Sequence, residues 1–313
     1  MNTEMKMQKI TMGVNGPECS RIIAGFWRLK NWEMGPGQIR DFVKECMDLG
    51  VTSIDHADIY GDYTCEQAFG EALAAGGSAV PDSLRDRMQI ITKCGIRLQN
   101  SQTRPGVDHQ HYNTDAEYIS DAVEASLKNL HTNYIDVLLI HRPDVLMNAD
   151  ETAGAFEKLR QEGKVRHFGV SNFTPSQFSL LQSRLSFPLV TNQIECSVMA
   201  IDTLHDGTLD QCQELRVAPM AWSPLAGGRL FAESSERIYR LRSVLGAVGE
   251  ETGGFGIDQV ALAWLLHHPS RIFPVLGTGK ADRVRAAVDS LTISLSREQW
   301  YRIWSASTGT GVP

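Results

Sequence analysis

The segment Ser53–Gly61, SIDHADIYG, sets Asp55, His56, Asp58 and Tyr60 directly after an apolar, β-branched run. Two chemistries are open to these groups. His56 and Asp58, with His141 further along, are ligand types that a metal-dependent hydrolase would use. Tyr60, with the carboxylate of Asp55 five residues upstream, has the makings of a proton donor. Lys93 closes a later apolar run, MQIITKCG, and His141 closes another, YIDVLLIH. A phenol with its ordinary pKa of about 10 holds its proton at neutral pH, and donates it well only if the phenolate left behind is stabilised. A nearby ammonium favours the phenolate. Lys93 is therefore the candidate to tune Tyr60, with Asp55 holding Lys93 by an ion pair and His141 donating to a substrate carbonyl or assisting proton transfer. Hydrolysis would need a carboxylated or bridging ligand and more histidines at the ends of apolar runs. The chain lacks them, and no metal is expected.

Eight short apolar runs could position these groups: residues 21–27, 51–57, 88–95, 134–141, 165–172, 189–195, 217–224 and 271–278. Segments such as QIRDFVKECMDLG, AEYISDAVEASLKNL, DETAGAFEKLRQEG and IDQVALAWLLHH lie between them, with apolar residues at the three- and four-residue spacing of an amphipathic helix. Runs such as IDVLLI are apolar on both faces, as parallel strands buried between layers are. Eight strand-then-helix units predict an α/β fold, a (β/α)8 TIM barrel. A doubly wound open sheet is the alternative, but no GxGxxG follows any of the strands. KITMG and the turn NGPE predict an N-terminal β-hairpin closing the barrel floor. ADRVRAAVDSL and SREQWYRIWSA predict closing helices, the last an addition at the C-terminus. No linker divides the chain, so residues 1–313 read as a single domain. The connections 97–115 and 225–237 are longer than a barrel needs, and on a barrel both would lie at the C-terminal face, where active sites are built.

Composition narrows the partners. The net charge is −7 and no dense Lys/Arg run is present, so nucleic acid is not an expected partner. The six cysteines show no CxxC pair, which predicts reduced core thiols and a cytoplasmic location. The first residues, MNTEMKMQKI, carry no apolar signal segment, and no apolar stretch is long enough to span a membrane.

Taken in order, IDHADIYG, ITKCG, LLIHRPD, GVSNF, TNQIE, AWSPLAGG and VLGTGKADRV resemble the signature set of the aldo-keto reductase superfamily across residues 54–284. Within it the chain is most similar to a bacterial branch of cytoplasmic oxidoreductases with DHADIYG and LLIHRPD motifs. The resemblance implies a (β/α)8 barrel that binds NADPH (NADP+), with NADH the lesser choice, and reduces a small-molecule aldehyde or ketone carbonyl to an alcohol. It assigns Tyr60 as the general acid, Lys93 and His141 as its tuning groups and Asp55 as their support. It implies that Ser171, Asn172 and Gln193 hold the nicotinamide carboxamide, that Trp222 stacks on the ring, and that Ser223 and Leu225 line the cofactor. It places Gly277, Thr278, Lys280 and Arg283 around the adenosine 2′-phosphate. Two positions depart from the pattern. Gly277 stands where some relatives carry Lys, with Lys280 available to supply the charge, and Ala287 stands where an Asn contacts adenine. Phe26 and Trp27 are expected on the substrate wall, as an aromatic surface suited to hydrophobic or aromatic carbonyls. Some barrels of this superfamily serve instead as cofactor-binding, redox-sensing partner subunits with little turnover, which is the alternative function.

Overall fold

The computed structural model describes residues 7–77 and 79–312. The reading of the first six residues as free of a signal segment, and the two extreme ends of the single-domain span, lie outside the described residues. Strands β1 (Lys9–Thr11) and β2 (Glu18–Ser20) pair antiparallel, with Ile10 opposite Cys19. They form the expected hairpin. Eight further strands close a barrel: β3 (Ile23–Gly25), β4 (Ser53–Asp55), β5 (Gln89–Cys94), β8 (Ile135–Ile140), β9 (Val165–Ser171), β10 (Asn192–Glu195), β11 (Met220–Trp222) and β12 (Phe273–Leu276). Neighbours in the barrel are parallel throughout, and β12 returns to β3, where Val275 lies opposite Ile23. Closure leaves no sheet edge, which sets aside the open doubly wound alternative.

The barrel is filled. Ile23, Ile91, Val137, Leu139, Val190, Met220 and Phe273 form one buried cluster together with Ile10, Met12 and Cys19 of the hairpin segment. The hairpin thus plugs the N-terminal end. Gly13 lets it do so, because at φ +77° a Cβ would sit 2.7 Å from the Val190 carbonyl oxygen. Outside the strands, amphipathic helices Pro36–Asp48, Ala116–Asn129, Ala149–Gln161 and Ile257–Leu266 lay their apolar faces on the barrel where the spacing predicts them. Helices Ala281–Asp289 and Arg297–Thr308 close the chain.

Both long connections carry structure of their own. The first holds two short strands, β6 (Ile96–Arg97) and β7 (His111–Tyr112), paired antiparallel. It is pinned by the Asp62 carboxylate, which accepts from Ser101 Oγ (2.5 Å) and from the Gln102 (2.9 Å) and Thr103 (3.3 Å) amides. The second winds through a short turn, Ala226–Gly228, and helix Arg229–Ala232 before the long helix Glu236–Thr252.

Candidate active site

Alternation along the strands decides which side chains enter the barrel. Ile91 faces the inner core, so Lys93, two residues on, faces inward one layer nearer the C-terminal end. Thr92, on the opposite face, turns outward and donates to Glu66 Oε1 (2.6 Å) on the helix Cys65–Ala74. On β4 Asp55 points inward, while Ile54 joins the outer core and His56 packs there on Phe26 and Phe69. Beyond the strand the chain coils tightly. Gly61, Asp62 and Tyr63 all adopt φ near +60°, and the Tyr60 amide donates to the Ala57 carbonyl (3.1 Å). This coil turns the Tyr60 ring back over the barrel mouth.

There the four candidates meet. The ammonium of Lys93, fully buried, donates to both Asp55 carboxylate oxygens (2.8 and 2.9 Å), to the His56 carbonyl (2.7 Å) and to Tyr60 Oη (3.0 Å). The His141 ring lies edge-on to that of Tyr60, centroids 5.9 Å apart. Its Nδ1 is buried without a hydrogen-bond partner among the described residues, which leaves Nε2 as the nitrogen able to meet a ligand in the mouth.

Charge states follow from burial first. Burial works against the Lys93 ammonium, but Asp55 and Tyr60 outweigh it and raise its pKa, so it stays charged. Burial pushes the Tyr60 phenol up to about 12; Lys93 lowers it and Asp55 raises it. The depression expected from Lys93 is therefore present but smaller than the desolvation it opposes. Burial, with the positive charges of Lys93 and Arg142, holds His141 well below the usual imidazole range, so the ring is neutral at pH 7.

His56 and Asp58 are occupied elsewhere. The His56 ring is fully buried, stacked on Phe26 (5.0 Å) and edge-on to Phe69 (4.6 Å), and burial lowers its pKa to about 3. Asp58 accepts from the Ile59 amide (2.7 Å), with Tyr118 Oη at 3.5 Å; burial, then Glu66, raise its pKa to about 8. Among the described residues no three His, Cys, Asp or Glu side chains are grouped to hold a metal ion.

The nicotinamide candidates gather at the adjoining strand ends. Asn172 Nδ2 donates to Ser171 Oγ (2.7 Å), Ser171 Oγ donates to the Gln193 carbonyl (3.0 Å), and Trp222 Nε1 donates to Asn172 Oδ1 (3.0 Å). Asn172 and Ser223 both lie in the left-handed region, φ 60° and 50°, a strained conformation for non-glycine residues that is common at binding sites. Gln193 Nε2 donates to Asp55 Oδ1 (2.9 Å) while its Oε1 receives no bond from the described residues. An amide with a free acceptor, a second amide and a partly exposed indole fit a planar ring bearing a carboxamide. The link from Gln193 to Asp55 is invisible in the sequence, since it joins residues 138 positions apart.

The 2′-phosphate candidates stand at the start of helix Ala281–Asp289, where the Lys280 amide donates to Thr278 Oγ1 (3.2 Å). Lys280 and Arg283 are exposed and form no ion pair with a described residue, and Gly277 is exposed beside them. A Cβ on Gly279 would strike the Trp32 ring at 2.6 Å, so Trp32 flanks this loop. Leu225 packs, partly buried, against two core clusters, and Ala287 is buried.

Phe26 does not reach the mouth. It is completely buried in an aromatic cluster with Trp32, Phe42, His56 and Phe69, because the strand's alternation sends it outward against the helices. Its placement on a substrate wall is thereby corrected. Trp27 is 55% exposed, under the guanidinium of Arg28 (5.1 Å), which also donates to the Gly227 carbonyl (2.9 Å). Arg142, directly after His141, was not among the expected site residues. Its guanidinium lies 5.6 Å from the Trp222 ring centroid.

Comparison with known proteins agrees with the barrel fold. Residues 21–308 match the Aldo/keto reductase family. The chain is 52% identical to oxidoreductase YdhF of Escherichia coli (strain K12), covering 98% of this chain and 100% of that one. It is 43% identical, with the same coverage, to a 6-dehydroglucose reductase of Agrobacterium fabrum. A crystal structure of the thermostable aldo-keto reductase Tm1743, in complex with the inhibitor epalrestat, superposes with a TM-score of 0.78 at 25% identity, covering 96% of this chain and all of that one.

Proposed function

The chain belongs to the aldo/keto reductase family and is an NAD(P)H-dependent oxidoreductase, and from that premise we propose that it reduces aldehyde or ketone carbonyls with NADPH, Tyr60 delivering the proton. One observation carries the reading: a buried ammonium bonded at once to both oxygens of one carboxylate and to a phenol at the C-terminal end of a closed barrel.

When bound, the nicotinamide supplies the hydride. The protein's part is the proton and the geometry. Asn172 and Gln193 orient the carboxamide, and Trp222 gives the ring a stacking face. Neutral His141 donates through Nε2 to the carbonyl oxygen and polarises it. As negative charge grows on that oxygen, Tyr60 Oη gives up its proton to it. Lys93, 3.0 Å away, then stabilises the phenolate that remains. Asp55, itself held by Gln193, keeps the ammonium charged and in place. A pKa near 12 keeps Tyr60 protonated through the neutral range, as an acid requires.

Lys280 and Arg283 support NADPH over NADH in this reading, since at a helix N-terminus two cations that pair with no described residue suit a phosphate. Six free, buried cysteines suit a reducing compartment, the cytoplasm. The name of the Agrobacterium fabrum relative points to an oxidised sugar, and such a hydroxylated aldehyde belongs among the carbonyls this chain takes.

The test is NADPH consumption with a panel of aldehydes and ketones, repeated with Tyr60→Phe. We expect turnover by the wild type and a loss of at least ~100-fold in the variant with NADPH binding retained. Full activity in Tyr60→Phe would refute the proton-donor role. Tight NADPH binding without turnover across the panel would favour the redox-sensing subunit.

A further inference from the structure

Arg142 begins the connection that follows β8, immediately after His141. Its side chain is half-buried and bends toward Trp222, its guanidinium 5.6 Å from that ring's centroid. It is near enough to His141 to contribute, with burial and Lys93, to the low pKa of that ring. Yet it forms no hydrogen bond and no ion pair with any described residue, so none of its five N–H donors is taken by one. Arg28 across the rim differs, since it is committed to the Gly227 carbonyl. A partly exposed contact with an indole face is weaker than a charge-assisted hydrogen bond, so an acceptor oxygen entering beside His141 would draw the guanidinium to itself.

We propose that Arg142 is a specificity-determining residue of this site, selecting carbonyl compounds that carry an acceptor oxygen, hydroxyl or carboxylate, close to the reacting carbonyl. The assignment rests on the reductase reading above and revises the expectation of purely hydrophobic or aromatic substrates. The planar fork of arginine fits a carboxylate or a pair of neighbouring hydroxyl oxygens, and its place beside the group that polarises the carbonyl fixes the second oxygen within a few bonds of the reacting carbon.

Matched aldehydes test it. Propanal and butanal carry only the reacting oxygen, glyceraldehyde adds hydroxyls, and succinic semialdehyde adds a carboxylate. Kinetic constants are measured for the wild type, Arg142→Met and Arg142→Lys, with the NADPH dissociation constant followed by fluorescence. In Arg142→Met we expect kcat/KM to fall roughly 10- to 100-fold for the oxygenated aldehydes, mainly through KM, the size of a lost hydrogen bond from a charged donor. For propanal and butanal the fall should stay below about threefold, with NADPH affinity unaltered. Arg142→Lys, which keeps the charge but loses the fork, should lie between. A loss confined to glyceraldehyde supports the assignment and identifies hydroxyls as the ligand; a loss confined to succinic semialdehyde supports it and identifies the carboxylate. Equal losses for all four aldehydes, weakened NADPH binding, or no loss for any would overturn the assignment alone. Wild-type protein inert toward all four, yet binding NADPH, would overturn the reductase reading and this assignment with it.

Discussion

Lys93 has two jobs that can be separated, because its partners Asp55 and Tyr60 serve different ends. The ammonium is wholly buried and 2.8 Å from Asp55 Oδ1. At that distance the pair attracts by about 6 kcal/mol with an effective dielectric of about 20, enough to offset much of the cost of removing both charges from water. Lys93→Met deletes one charge and strands the other. The expected loss is about 3–5 kcal/mol of stability, the usual result of breaking a buried pair. Adding Asp55→Asn in the same chain removes the stranded charge, and the double variant should recover most of that loss. Activity should behave otherwise. Without an ammonium 3.0 Å from its oxygen, the Tyr60 phenolate has no stabilising charge, and burial alone raises the phenol further. Turnover should fall by ~100-fold or more in both variants, a typical contribution of a positioned acid. Urea unfolding followed by tryptophan fluorescence reads the first effect, and NADPH consumption reads the second. Recovery of turnover along with stability in the double variant would refute the argument, since Lys93 would then be a structural cation only. So would Lys93→Met at wild-type stability.

Two further outcomes follow from other sites. Asp58 has a folded pKa raised to about 8 by burial, then by Glu66, whereas its unfolded value is ordinary. The native state therefore holds a proton that the unfolded chain releases above about pH 4, and stability drops as pH rises from there toward 8. Asp58→Asn should flatten that slope and raise stability at pH 8 by a few kcal/mol relative to wild type, read by urea midpoints at pH 5 and pH 8; an unchanged slope would refute it. Arg283→Ala should weaken NADPH binding by roughly 10-fold or more and NADH binding much less, since only NADPH offers a 2′-phosphate to the guanidinium. Equal effects on the two dissociation constants would remove Arg283 from the cofactor site.

Much of the architecture was legible because burial on both faces leaves a plain mark. IDVLLI, apolar at every position but one, became β8, and each of the eight expected runs contains a barrel strand. The strands are shorter than the runs. β3 occupies only Ile23–Gly25 of residues 21–27, since the apolar pattern continues past the last ladder bond into residues that pack without pairing. That excess misplaced Phe26. The alternation that turns Ile23 inward carries Phe26 outward, where Phe42 and Phe69 pack on it, and which face is inner is fixed only once the barrel closes. The small β6–β7 hairpin also went unseen, as two-residue strands have no period to detect.

By itself the sequence determined that reactive side chains follow apolar strands at intervals, and the order of those intervals was enough to point to a barrel and to its family. The tertiary structure alone decided what each group does to its neighbours. Lys93 contacts Asp55 from 38 residues away and Gln193 reaches the same carboxylate from 138. Desolvation at that meeting point outweighs the pull of Lys93 on Tyr60 and neutralises His141. Adjacency along the chain sets residue type and periodicity, but dielectric surroundings and charge partners exist only once distant strand ends share one mouth.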